Sequence, residues 1–103
     1  MTLHRPIADA TLAEAAALMR AIAHPLRLRV LEILEDAKEA NVTALCEATG
    51  ATQPAVSQQL ARMRLEGVLA ARRAGSQVFY HVARPEVLGV LACIRRMPRG
   101  RSS

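Results

Sequence analysis

ATQPAVSQQLARMRLEG, residues 51–67, carries its own start and stop signals. Thr52 offers an N-cap oxygen, Pro54 falls in a first turn where its missing N–H is harmless, and Gly67 closes the segment. These bounds predict a helix. Within it Ala55, Val56, Leu60, Met63 and, on the flank, Leu65 recur at helical spacing as one apolar face. Gln53, Ser57, Gln58, Ala61, Arg62 and Arg64 are left to face outward, and no acidic residue follows Thr52 until Glu66. Amides and a hydroxyl suit the edges of bases in a major groove, and the small Ala55 allows close approach. A solvated surface helix rich in glutamine is the competing reading, and the rest of the chain has to decide between them.

The 103 residues suffice for one domain, residues 1–103, with 1–8 and 98–103 expected as flexible tails. Hydrophobic residues make up 51% and aromatics only 2%, so the core must be aliphatic, which favours helices. No apolar run approaches the roughly 20 residues that cross a bilayer, and MTLHRPIADA lacks a signal peptide's apolar centre. A cytoplasmic protein without membrane contact is expected. The net charge is +5, and its placement is uneven: residues 1–51 hold five Lys/Arg against seven Asp/Glu, residues 52–103 nine against two. The halves therefore carry −2 and +7. Thirteen of the fourteen basic residues are arginine, which forms forked contacts to phosphate, so nucleic acid is the natural partner.

Towards the N-terminus, Asp9 or Thr11 can cap a first helix running to about Ala23, with Leu12, Ala15, Ala16, Met19, Ile22 and Ala23 as its stripe. A face so small-sided suits either plain intrachain packing or a dimer contact. Pro25 starts a second helix to about Ala37, whose Leu26, Val30, Leu31, Ile33 and Leu34 form the most hydrophobic face in the chain. Arg27 and Arg29 stand at the wrong end of that helix's dipole, so they are expected to reach a phosphate or a neighbouring carboxylate. His24 reads as a cap or a hydrogen-bonder rather than a metal ligand. A charged link, Asp36 to Asn41, leads to a short third helix, Val42–Thr49, capped by Asn41 and stopped by Gly50. A short helix, a tight turn and the polar-faced helix make a helix-turn-helix.

After Gly67 the period shifts towards two. Val68–Arg73, the turn Ala74-Gly75-Ser76 and Gln77–Val82 predict a β-hairpin, with Arg72 and Arg73 near its tip opposite Ser76 and Gln77. A soluble edge hairpin is the plain reading; after a helix-turn-helix, a basic wing on phosphates or the minor groove is the stronger one. A last helix from Pro85 carries Val87, Leu88, Val90, Leu91, Ile94 and Met97 over more than one face, so a second subunit is expected to cover what the chain cannot. The basic tail from Pro98 to Ser103 could add phosphate contacts.

The chain resembles the ArsR/SmtB-type winged-helix repressors from Leu18 to Met97. The resemblance rests on AIAHPLRLRVLEIL, VTALCEATGATQPAVSQQLARMRLEGVL and RRAGSQVFYHV, followed by a terminal helix. It implies a mostly α winged helix-turn-helix of four helices, a small β-hairpin and a fifth helix, in a homodimer joined through the first and last helices. It also implies repression at a palindromic double-stranded DNA operator until an inducer acts. Carried over residue by residue, Thr52, Gln53, Ser57, Gln58 and Arg62 would contact the operator from the helix, and Arg73, Ser76 and Gln77 from the wing.

The family's sensing sites match poorly. Its third-helix thiolate site needs cysteines where this chain has Asn41 and Thr43, with Cys46 alone in place; its terminal-helix zinc site meets Arg84, Glu86, Met97 and Gly100. No metal is therefore expected. Sulfide-responsive relatives have cysteines near Glu32 and Arg99. What remains is Cys46 and Cys93, enough for one regulatory disulfide, a persulfide bridge or a two-thiolate arsenite site, or else two small hydrophobes with no sensing role. The alternative is a repressor that is constitutive or induced by another ligand. No nucleophile–base pair, carboxylate dyad or Gly-rich phosphate loop is present, so no cofactor and no enzyme activity are expected.

Overall fold

The computed structural model describes residues 5–98. Residues 1–4 and 99–103, which hold most of the two expected tails, lie outside the described residues. The elements are α1 (Asp9–Ile22), α2 (Pro25–Ala37), α3 (Val42–Thr49), α4 (Gln53–Leu65), β1 (Leu69–Ala74), β2 (Gln77–Val82) and α5 (Glu86–Arg95).

Local chemistry sets most of these bounds. The Nδ1 of His24 accepts the Leu26 N–H at 3.1 Å, so the imidazole caps α2 just ahead of Pro25. Asn41 Oδ1 accepts the Ala44 N–H at 2.9 Å to start α3, and Gly50 ends it at φ +75°, where its N–H donates to the Cys46 carbonyl at 2.8 Å. Neither Asp9 nor Thr11 caps α1: Ala8 holds that position with no side-chain bond, and Asp9 falls in the first turn, where its charge suits the dipole.

One apolar core joins the elements. Val30, Leu31 and Leu34 of α2 meet Leu45 of α3, Val56, Leu60 and Met63 of α4, Val68 and Leu69, and Val87 and Leu91 of α5. Leu65 does not belong to it and is 81% exposed. At 100° per residue Leu65 lies half a turn round from Val56, so an inward Val56 forces it outward. The expected stripe of α1 also stays largely uncovered. Ala21 and Ile22 are buried in its last turn, whereas Leu12 is 49% and Met19 57% exposed and Ala23 lies beyond the helix end. On α5, Val87 and Leu91 turn inward while Ile94, and Met97 just past the helix, remain exposed.

The hairpin runs antiparallel, from Leu69 opposite Val82 to Ala74 opposite Gln77. Gly75 takes φ +63° as the first residue of its two-residue turn, a position that favours glycine in a primed turn matching the strand twist. Ala40, in the expected charged link, adds a bridge to the other edge of β2: its N–H donates to the Tyr80 carbonyl at 3.1 Å and receives the Tyr80 N–H on its own carbonyl at 2.9 Å.

Candidate nucleic-acid interface

The turn between α3 and α4 is held from inside. Thr49 Oγ1 donates to the Leu45 carbonyl at 2.7 Å and accepts the Ala51 N–H at 3.1 Å, closing the chain around Gly50. Thr52 Oγ1 accepts the Ala55 N–H at 3.4 Å, so this hydroxyl caps α4 and its remaining lone pair and proton face outward. With Val56, Leu60 and Met63 seated in the core, Gln58, Ala61 and Arg62 lie on the opposite side of α4, and Gln53 at its start and Arg64 near its end lie on a flank, all exposed. Ser57 is half-buried at the edge of that face. Arg62 lies 3.7 Å from Glu66, one turn on.

The wing's two arginines part company because strand neighbours point to opposite sides. Arg72 shares the side of Phe79, lies 5.0 Å over its ring and is bonded through both Nε and Nη2 to the carboxylate of Glu39. That hydrogen-bonded guanidinium holds the Glu39 carboxyl below its usual range, against the opposing effect of desolvation. Arg73 points to the other side, is exposed and makes no ion pair among the described residues. Ser76 and Gln77 are exposed at the tip, and the Gln77 Oε1 accepts from Asn41 Nδ2, leaving the Gln77 amino group free to donate.

Three participants were not singled out from sequence: Glu39, Asn41 as a partner of the wing, and Gln59. Gln59 carried a usable signal, since it follows Ala55 by four residues and Val56 by three and so falls on the apolar flank, where an amide needs a partner. That partner is Arg27. Arg29, the other arginine at the start of α2, pairs with the neighbouring carboxylate of Glu32, one of the two partners expected for it.

The two cysteines sit on different helices as free thiols. Cys46, half-buried on α3, packs against the core, and Cys93 is exposed on α5. Among the described residues no three His, Cys, Asp or Glu side chains gather where they could share a metal ion, and no helix is long and apolar enough to cross a membrane.

A helix-turn-helix whose second helix shows an uncharged polar face followed by arginine, with a hairpin tied to its first helix, defines a winged helix-turn-helix DNA-binding protein. Residues 24–70 match the model of the bacterial regulatory protein arsR family. The HTH-type transcriptional regulator YgaV of Escherichia coli is 33% identical over 86% of this chain and 90% of its own. Among solved structures, the transcriptional repressor PagR of Bacillus anthracis superposes with a TM-score of 0.76 at 32% identity, over 84% of this chain and 99% of that one. The AntR antimony-specific transcriptional repressor gives 0.79 at 33%, over 89% and 83%. The chain belongs to the ArsR family of DNA-binding transcription regulators and is not an enzyme.

Proposed function

We propose that this protein is a homodimeric repressor that binds a palindromic operator and leaves it when its cysteines react. The observation that carries the reading is the polar surface of α4, where Gln53 at the helix start and Gln58 on its outer face stand exposed with no carboxylate before Glu66. Thr52, Gln53, Ser57 and Gln58 read base edges or neighbouring phosphates; Arg62, Arg73, Ser76 and Gln77 fix the protein on the backbone. The uncovered Leu12 and Met19 of α1 and Ile94 and Met97 at the end of the chain's last helix support pairing through those elements. A two-fold pair would set its recognition helices about 34 Å apart, one turn of DNA. A cytoplasmic location accords with that partner.

For release, Cys93 is the exposed thiol and so the first target of an oxidant or a soft ligand, with Cys46 as the second sulfur. Joining them as a disulfide removes two electrons and two protons, which diamide takes up as it becomes a hydrazine; arsenite would instead bind both as thiolates without oxidation. The name of the antimony-specific relative supports a soft-ligand inducer. A second reading, induction by a small molecule without thiol chemistry, is favoured by an open groove of about 270 Å³ between α2 and α5, floored by Pro25, Leu28, Leu91 and Ile94.

Gel-shift titration on the protein's own promoter tests both, with diamide, polysulfide, arsenite and zinc compared in parallel. Salt-sensitive binding to one site over random duplex is expected, with release lost in Cys46→Ser and Cys93→Ser. Unchanged release in both variants eliminates the cysteine mechanism, and equal affinity for all duplexes eliminates the repressor.

A further inference from the structure

Arg27 stands in the first turn of α2, where a cation meets the positive end of the helix dipole, yet its side chain is only 16% exposed. A charge so placed needs partners, and it finds them on two other helices and at the end of one of these. Its Nε donates to Gln59 Oε1 at 2.6 Å, and its Nη1 donates to the Ala21 carbonyl at 2.8 Å and lies 3.5 Å from Glu66 Oε1. Ala21 belongs to the last turn of α1, whose carbonyls lack intrahelical donors. Gln59 lies midway along α4, and Glu66 is its C-cap.

One planar guanidinium therefore ties α1, α2 and α4 together, and its fork gives every bond a fixed direction that an ammonium would not. On α4 the two holds are seven residues apart, about two turns along the axis, so they restrain its tilt as well as its roll. Gln59 adjoins Gln58, and a roll that moved Gln58 relative to a groove would also break the bond from Arg27.

We infer that Arg27 is a positioning residue for operator recognition. It carries the placement of α1 to α4 and so sets both the roll of Ser57 and Gln58 and the separation of the paired recognition helices. The inference rests on the DNA-binding dimer proposed above.

Two measurements test it, on Arg27→Met, which keeps the aliphatic stem, on Arg27→Lys, which keeps the charge without the fork, and on Gln59→Leu, which removes only the acceptor on α4. The first needs no DNA. Spin labels at Ala17→Cys and Ala61→Cys, in a Cys46→Ser, Cys93→Ser background diluted with unlabelled chain, report the distance between α1 and α4 within one protomer. A narrow distribution is expected in the parent, and one at least twofold broader in all three variants. The second compares promoter DNA with its operator centre lengthened or shortened by one base pair. The preference for native spacing should fall at least fivefold in the variants, with affinity for random duplex unchanged within twofold.

Should Arg27→Met fail to melt cooperatively, Gln59→Leu decides. A distribution as narrow as the parent's in the folded variants, or an unaltered spacing preference, overturns the inference. If the unmutated protein shows no preferred site, the DNA-binding reading fails before any variant is made, and the spin-label distances then decide the helix coupling alone.

Discussion

Asn41 Nδ2 donates to Gln77 Oε1, so the residue that caps α3 also holds the first residue of β2. Together with the Ala40–Tyr80 bridge and the Glu39–Arg72 pair, this bond makes the helix-turn-helix and the wing one unit.

The two ends of that bond should be separable. Gln77→Met leaves the cap intact and should change stability by less than about 0.5 kcal/mol, while amide exchange in the hairpin quickens. Asn41→Ala also removes the cap and should cost about 1 kcal/mol in denaturant unfolding. Equal losses would mean that the cap contributes nothing.

Base reading and phosphate holding also predict different outcomes. Gln58→Ala should lose about 1–3 kcal/mol on the operator and little on random duplex, whereas Arg73→Ala should weaken both and lower the salt slope by about one. Matching losses on both duplexes from Gln58→Ala would place that amide off the bases.

Within α4 the contrast between its two leucines is a stability prediction. Leu60→Ala opens a cavity in the buried core and should cost about 2–5 kcal/mol, while Leu65→Ala should stay within about 0.5 kcal/mol. Unfolding curves at one fixed protein concentration check this, because association alters apparent stability.

Acid should loosen the wing. The Glu39 carboxyl is held below the ordinary value of 4.5, chiefly by its hydrogen bond from Arg72, so the folded form binds its proton more weakly than the unfolded one. Its contribution is complete above the unfolded value and disappears as the pH falls from there through the depressed folded value. Melting temperatures of wild type and Glu39→Gln should therefore differ at neutral pH and converge in acid. A gap that persists at the lowest pH would assign the effect to something other than this charge.

Much of the architecture was legible because its signals are local. Thr52, Pro54 and Gly67 bounded α4, Asn41 and Gly50 bounded α3, and the change of period after Gly67 marked the hairpin. On α4 the outward Gln58, Ala61 and Arg62 followed from helical spacing, whereas Gln53 and Arg64 are exposed near the helix ends, and the hydrophobicity of Leu65 suggested a face that its angle forbids. What escaped were contacts between residues far apart in the chain: Asn41 with Gln77, Glu39 with Arg72, and Arg27 with Gln59. Nothing in spacing says which acid an arginine will find, or that Ala40 will extend a sheet. The odd dipole position of Arg27 and the apolar-flank position of Gln59 were the visible hints, and each foretold a partner without naming the other.

The exposed first helix sets a condition on the molecule's behaviour. Fourteen residues with little more than the final turn seated are marginally helical in water by themselves. Given the proposed pairing through α1, copy number would govern order: at low abundance α1 would fray, and promoter occupancy would fall more steeply than a simple binding curve gives, because ordering, pairing and DNA contact would share one equilibrium.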